Sequence, residues 1–127
     1  MTDVPVALTA WHGVVDSHDP ALLEDLVGEE CIFHSPAVHT PQKGKALTTA
    51  YLSAAMDVLG ESLTYRHEWY DESSAVLEFT AEVNGLAVHG VDMLRWDGED
   101  RLVEFTVMLR PFKGLTAVME QMAARLP

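Results

Sequence analysis

AVLEFTAEVNGLAVHGVDMLRW, residues 75–96, alternates apolar and polar positions on both sides of Asn84-Gly85. A period of two belongs to a half-buried strand, and Asn-Gly supplies the paired positive φ angles of a type I′ two-residue turn. The stretch therefore reads as a hairpin. Counting outward from the turn, Val83 faces Leu86, Ala81 faces Val88, Phe79 faces Gly90 and Leu77 faces Asp92. Opposed residues share a face, so Leu86, Val88, Gly90, Asp92, Leu94 and Trp96 form a row that is apolar except for one carboxylate.

Downstream, a loop at Asp97 to Asp100 pairs Trp96 with Arg101 and Asp92 with Phe105. That register groups Val103, Phe105, Val107 and Leu109 inside and leaves the more polar set Leu102, Glu104, Thr106, Met108 and Arg110 outside. Upstream, a strand over about 62–70 completes a four-strand meander with 75–83, 86–96 and 101–110. Its facing stays open: a three-residue turn aims Tyr65, His67 and Trp69 at the Asp92 face, whereas an even-length turn aims Arg66 and Glu68.

Before the meander the period is helical. Val4, Ala7, Leu8, Trp11, Val14 and Val15 mark one helix; DPALLEDLVGEE marks a second, with Asp19 as N-cap, Pro20 at the first helical position and Gly28 as a stop. CIFHSP reads as a strand ended by Pro36, and SPAVHTPQKG as a loop. Leu47, Ala50, Tyr51, Ala54, Ala55 and Val58 mark a third helix closed by Gly60. Leu115, Val118, Met119, Met122 and Leu126 mark a last one. The helices cover the apolar sheet face, in one domain over residues 1–127.

With 48% apolar residues, the 127-residue chain is long enough to bury about two thirds of its unfolded surface. Eight Lys and Arg against twenty Asp and Glu, a formal charge of -12, argue against nucleic acid and anionic membranes as partners. The N-terminus MTDVPVALTAWHG lacks the basic start of a signal peptide, and no apolar run is long enough to span a bilayer, so a cytoplasmic protein is expected. Cys31, the single cysteine, sits in the apolar ECIFHS and reads as a small buried hydrophobe rather than a nucleophile.

Two environments fit Asp92. In a dry hollow, which Gly90 helps to open by lacking a side chain, desolvation raises its pKa and favours the protonated form. At the sheet rim it stays solvated or accepts backbone N–H bonds. No spacing among His34, His39, His89 and Glu78 matches a metal signature, so neither metal nor cofactor is expected. Ser35, His39 and Asp92 make a triad only on paper, because Ser35 lacks the glycine-flanked elbow of a nucleophile.

The order of elements, with FHSPAVHTPQKGKA after the first strand and GVDMLRWDGEDRLVEF near the end, resembles the SnoaL-like branch of the nuclear transport factor 2 and ketosteroid isomerase-like superfamily. The resemblance implies an α+β cone, a curved and mostly antiparallel sheet wrapped around the N-terminal helices, with a pocket at its open end and a homodimer in solution. It places Asp92 at the pocket carboxylic acid that stays protonated in ketosteroid isomerases, a system that also serves as a standard example of such chemistry. Trp11 stands where those isomerases carry an oxyanion-hole tyrosine and Ser35 where they carry an aspartate base, which argues against that isomerase activity. SnoaL-like cyclases pair a carboxylate with a histidine, and His34, His39 or His67 is placed to supply one.

Three functions follow. The first is a cofactor-independent cyclase, isomerase or dehydratase acting on a hydrophobic carbonyl compound. In it Asp92 with His34 or His39 moves protons, and Trp11, Ser35, Tyr51, Phe79, Phe105, Val107 and Leu109 contact the substrate. The second is a non-catalytic binder of a small hydrophobic molecule; a cavity filled by Trp11, Met56 and Phe105 would exclude both of these readings. The third is an association module using the outer sheet face, with Val91 and Met93 among Glu78, Thr80 and His89.

Overall fold

A computed structural model describes residues 3–126. Helices α1 (Val6–Ser17) and α2 (Pro20–Leu26) lead into strand β1 (Val27–His34). The short β2 (Gln42–Lys43) and helix α3 (Lys45–Leu59) follow, then one 3-10 turn at Gly60–Ser62. Strands β3 (Thr64–Tyr70), β4 (Ser74–Val83), β5 (Leu86–Trp96) and β6 (Leu102–Arg110) form the meander, and α4 (Phe112–Ala123) closes the chain. One sheet runs β2-β1-β6-β5-β4-β3, antiparallel except where β1 pairs with β6 in parallel. No helix among the described residues is long and apolar enough to cross a membrane.

Local chemistry accounts for most boundaries. Asn84 and Gly85 both take positive φ, and every β4–β5 pair counted from that turn is present, including Leu77 with Asp92. Asp19 accepts from the Ala21 N–H at the start of α2, ahead of Pro20. Gly60 caps α3 with positive φ. Gly28, expected to stop α2, instead lies within β1, where an added Cβ would sit 2.8 Å from the Leu102 carbonyl oxygen. It permits close approach to β6. The expected loop after β1 also contains β2, a two-residue pairing too short to show a period.

The β5–β6 register differs from the expected one. Asp92 pairs with Val107 and Leu94 with Phe105, while Trp96 pairs with Leu102 rather than Arg101. A shift of two residues keeps Phe105, Val107 and Leu109 on the predicted side, because strand side chains alternate with period two. A bulge beside Arg95 and Trp96 then reverses the facing nearest the turn, exposing Val103 and burying Leu102.

Ala7, Leu8, Trp11 and Val14 of α1 and Leu23 and Leu26 of α2 pack with Phe33, Leu77, Leu94 and Phe105 as the main core. Ala117, Val118 and Met122 of α4 meet Phe79, Ala81 and Val88 in a second cluster. Cys31 is fully buried, and desolvation pushes its thiol up to about 11, so it is a packing residue. Gly90 does not open a hollow. An added Cβ there would meet Met108 O at 2.5 Å, Leu109 Cδ2 at 2.7 Å and Phe79 Cζ at 2.8 Å. Gly90→Ala is therefore expected to cost about 3 kcal/mol, the upper end for overpacking, since the nearest obstacle is backbone. An unchanged midpoint in urea unfolding would contradict this.

Candidate active site

Asp92 sits mid-strand on the helix-covered face, flanked by Leu77 and Val107, and only 6% of its surface is exposed. The dry alternative is the observed one. Desolvation pushes its carboxyl up to about 7, partly offset by a hydrogen bond from Tyr65. That bond, Tyr65 Oη to Asp92 Oδ2, is 2.6 Å long. Tyr65 Oη in turn accepts from Trp11 Nε1 at 2.9 Å. Burial and then the neighbouring Asp92 charge raise the Tyr65 hydroxyl well above the usual phenol range, so it stays a neutral donor.

Tyr65 reaches this position through a feature that periodicity could not decide. A bulge in β3 lets Tyr65 pair with Phe79, and past it Glu68 pairs with Leu77. Both therefore share the inner face, taking one residue from each alternative. Glu68 meets His12 Nε2 at 2.8 Å, and the His12 ring stands edge-on to Tyr65 with centroids 5.6 Å apart.

Beside Asp92 lies a narrow cleft of about 450 Å³, its open mouth included. Trp11 and Val15 of α1 form one wall, and Leu52, Met56 and Leu59 of α3 form another. Phe105 and Val107 form the sheet side. Trp11, Met56 and Phe105 narrow the space without closing it. His18, exposed and left-handed at the C-terminus of α1, also lines the cleft. Sequence reading passed over His18, because a residue between two helices gives no periodic signal.

The remaining candidates lie elsewhere. Phe79 is buried edge-to-face against Tyr65, and Leu109 packs beside it. Tyr51 stacks on Phe33 at 5.1 Å, behind the cleft wall. Ser35 Oγ accepts from the Ala37 N–H in the turn after β1. His34 turns to the outer face and meets Glu104 Oε2 at 2.8 Å, His39 is exposed in the loop, and His67 contacts Glu78 on the outer face. None of these three histidines lines the cleft. Glu78 also meets His89 at 2.8 Å, and its contacts with His89 and His67 hold its carboxyl below the usual range. Among the described residues no three His, Cys, Asp or Glu side chains converge as a metal site.

No protein-family model matches the chain, and no curated protein does. Solved structures do. A steroid delta-isomerase from Pseudomonas aeruginosa is 35% identical over 94% of this chain and 88% of its own, with a TM-score of 0.88. An uncharacterised bacterial protein with a cystatin-like fold from Silicibacter pomeroyi is 27% identical over 94% of this chain and 84% of its own, at TM-score 0.87. A protein named as a putative SnoaL-like polyketide cyclase from Shewanella denitrificans, 16% identical over 93% of this chain and 95% of its own at TM-score 0.65, shares the fold. With its helix-backed sheet and these relatives, the chain belongs to the nuclear transport factor 2 and ketosteroid isomerase-like superfamily.

Proposed function

We propose that this protein is a cofactor-independent acid-base enzyme of the isomerase, cyclase or dehydratase type, acting on a small hydrophobic carbonyl compound. One observation carries the reading: a carboxyl group with its pKa near neutrality lies in an apolar cleft, held by a single neutral phenol. Near pH 7 both forms of such a group are populated, so it can take a proton from the carbon beside a carbonyl and return it to another position. Ser35 offers no carboxylate at the cleft, which leaves Asp92 as the base. His18 at the mouth is the second proton-active group.

The steroid delta-isomerase relative makes β,γ-unsaturated ketones the first compounds to try. The narrow cleft favours a monocyclic ketone over a steroid nucleus. Conversion to the conjugated ketone is followed by ultraviolet absorbance; Asp92→Asn is expected to lose about 10²–10⁴-fold in rate while remaining folded. Unchanged turnover in that variant removes Asp92 from the chemistry. A second reading, a non-catalytic hydrophobic carrier, is favoured by the predominantly apolar lining. Ligand-dependent thermal stabilisation without conversion would select it.

A further inference from the structure

The direction of the hydrogen bonds behind Asp92 can be assigned from donor inventory alone. An indole N–H donates and cannot accept, and a tyrosine hydroxyl has a single hydrogen. Trp11 Nε1 lies 2.9 Å from Tyr65 Oη, so Oη accepts there and its hydrogen is left for Asp92 Oδ2 at 2.6 Å. Oδ2 is thus an acceptor in both protonation states. Thr49 Oγ1 is the only sealed side-chain polar atom without a partner among the described residues, so Asp92 Oδ1, which makes no hydrogen bond there, is open to the cleft.

We infer that Trp11 is a positioning residue: by occupying the acceptor side of Tyr65 it confines the exchangeable proton of Asp92 to Oδ1, the oxygen that faces a guest. The inference deepens the acid-base reading and rests on it. It also defines the guest's deep end. Protonated Asp92 presents a hydrogen-bond donor at Oδ1, in a cleft that Phe105 and Val107 also line, so it takes the carbonyl oxygen of a ketone or aldehyde. Ionised Asp92 presents a base at the same atom, so one oxygen serves both halves of a proton shuttle. Without Trp11, Tyr65 is free to turn its hydrogen away and accept from Oδ2, and the acid proton spreads over both oxygens.

The test uses cyclohexanone isotopically labelled at its carbonyl carbon, observed by NMR when bound to the full chain. A donated hydrogen bond moves the carbonyl resonance downfield. In the wild type the downfield shift is expected below neutrality and lost as pH rises through about 7. Asp92→Asn, whose amide does not titrate, is expected to bind with no such pH dependence. Trp11→Phe is expected to bind the ketone with the downfield shift reduced toward its free value, and with the midpoint moved up by about one pH unit, the size of one ordinary hydrogen bond. Tyr65→Phe, which keeps the indole in place, is expected to reduce the shift likewise and guards against a Trp11 variant that folds poorly.

The failures separate. If Trp11→Phe and Tyr65→Phe leave the bound resonance and its midpoint unchanged while the wild type titrates, the positioning role is overturned and the acid-base reading stands. If the wild-type shift does not titrate, or the ketone does not bind, both are overturned.

Discussion

Asp92→Asn is expected to stabilise the protein by roughly 4 kcal/mol at about pH 8 and by almost nothing at about pH 4. The carboxyl has its ordinary value of 3.8 in the unfolded chain and about 7 in the folded one. Below the lower value both states hold the proton and burial carries no ionisation penalty. Between the two, the unfolded chain releases its proton and the folded chain does not, so stability falls as pH rises. Above the higher value both are ionised and the penalty is constant. At about 1.36 kcal/mol per pH unit the interval gives the stated difference. The amide accepts from Tyr65 as the carboxylate did and adds no charge. Urea unfolding of both proteins at the two pH values measures it, and parallel stabilities would show that Asp92 is not desolvated. A variant that gains stability while losing turnover would separate catalysis from folding at one side chain.

Phe105→Ala is expected to cost about 3–5 kcal/mol, a large share of the total stability of an ordinary domain. Phe105 is 1% exposed, lies tilted against Trp11 with centroids 4.8 Å apart, and stacks on Phe33 at 6.2 Å. It joins α1, β1 and β6, so the loss cannot be absorbed by one neighbour. The ring also walls the cleft beside Asp92, and removing it admits water to the carboxyl. Desolvation is the leading cause of the raised Asp92 value, so its titration midpoint should fall below about 7 in this variant. Denaturant unfolding, with the carboxyl followed by NMR, checks both effects. A loss below about 1 kcal/mol would mean that the surrounding core collapses into the gap.

Asn84 and Gly85 made the centre of the fold legible, since a two-residue turn leaves its flanking strands one register and therefore places Asp92 beside Leu77 from local chemistry alone. Alternation did the same for the buried face of β4 and β5, and helical spacing for the face of α1 that carries Trp11. The partners of Asp92 were not legible. Tyr65 depends on a bulge in β3, and the facing of Leu102 and Val103 on another in β6; a bulge is selected by side chains packing across the sheet and leaves no period in its own strand. The parallel pairing of β1 with β6, which sets Phe33 against Phe105 and turns His34 outward, joins segments about seventy residues apart.

Turn geometry and alternation act between neighbours along the chain, so they reached as far as the carboxylate and the face it occupies. Its burial, its phenol partner with the indole behind that phenol, and the histidine at the cleft mouth come from segments that meet when the helices close over the sheet, where packing rather than spacing chooses which atoms touch.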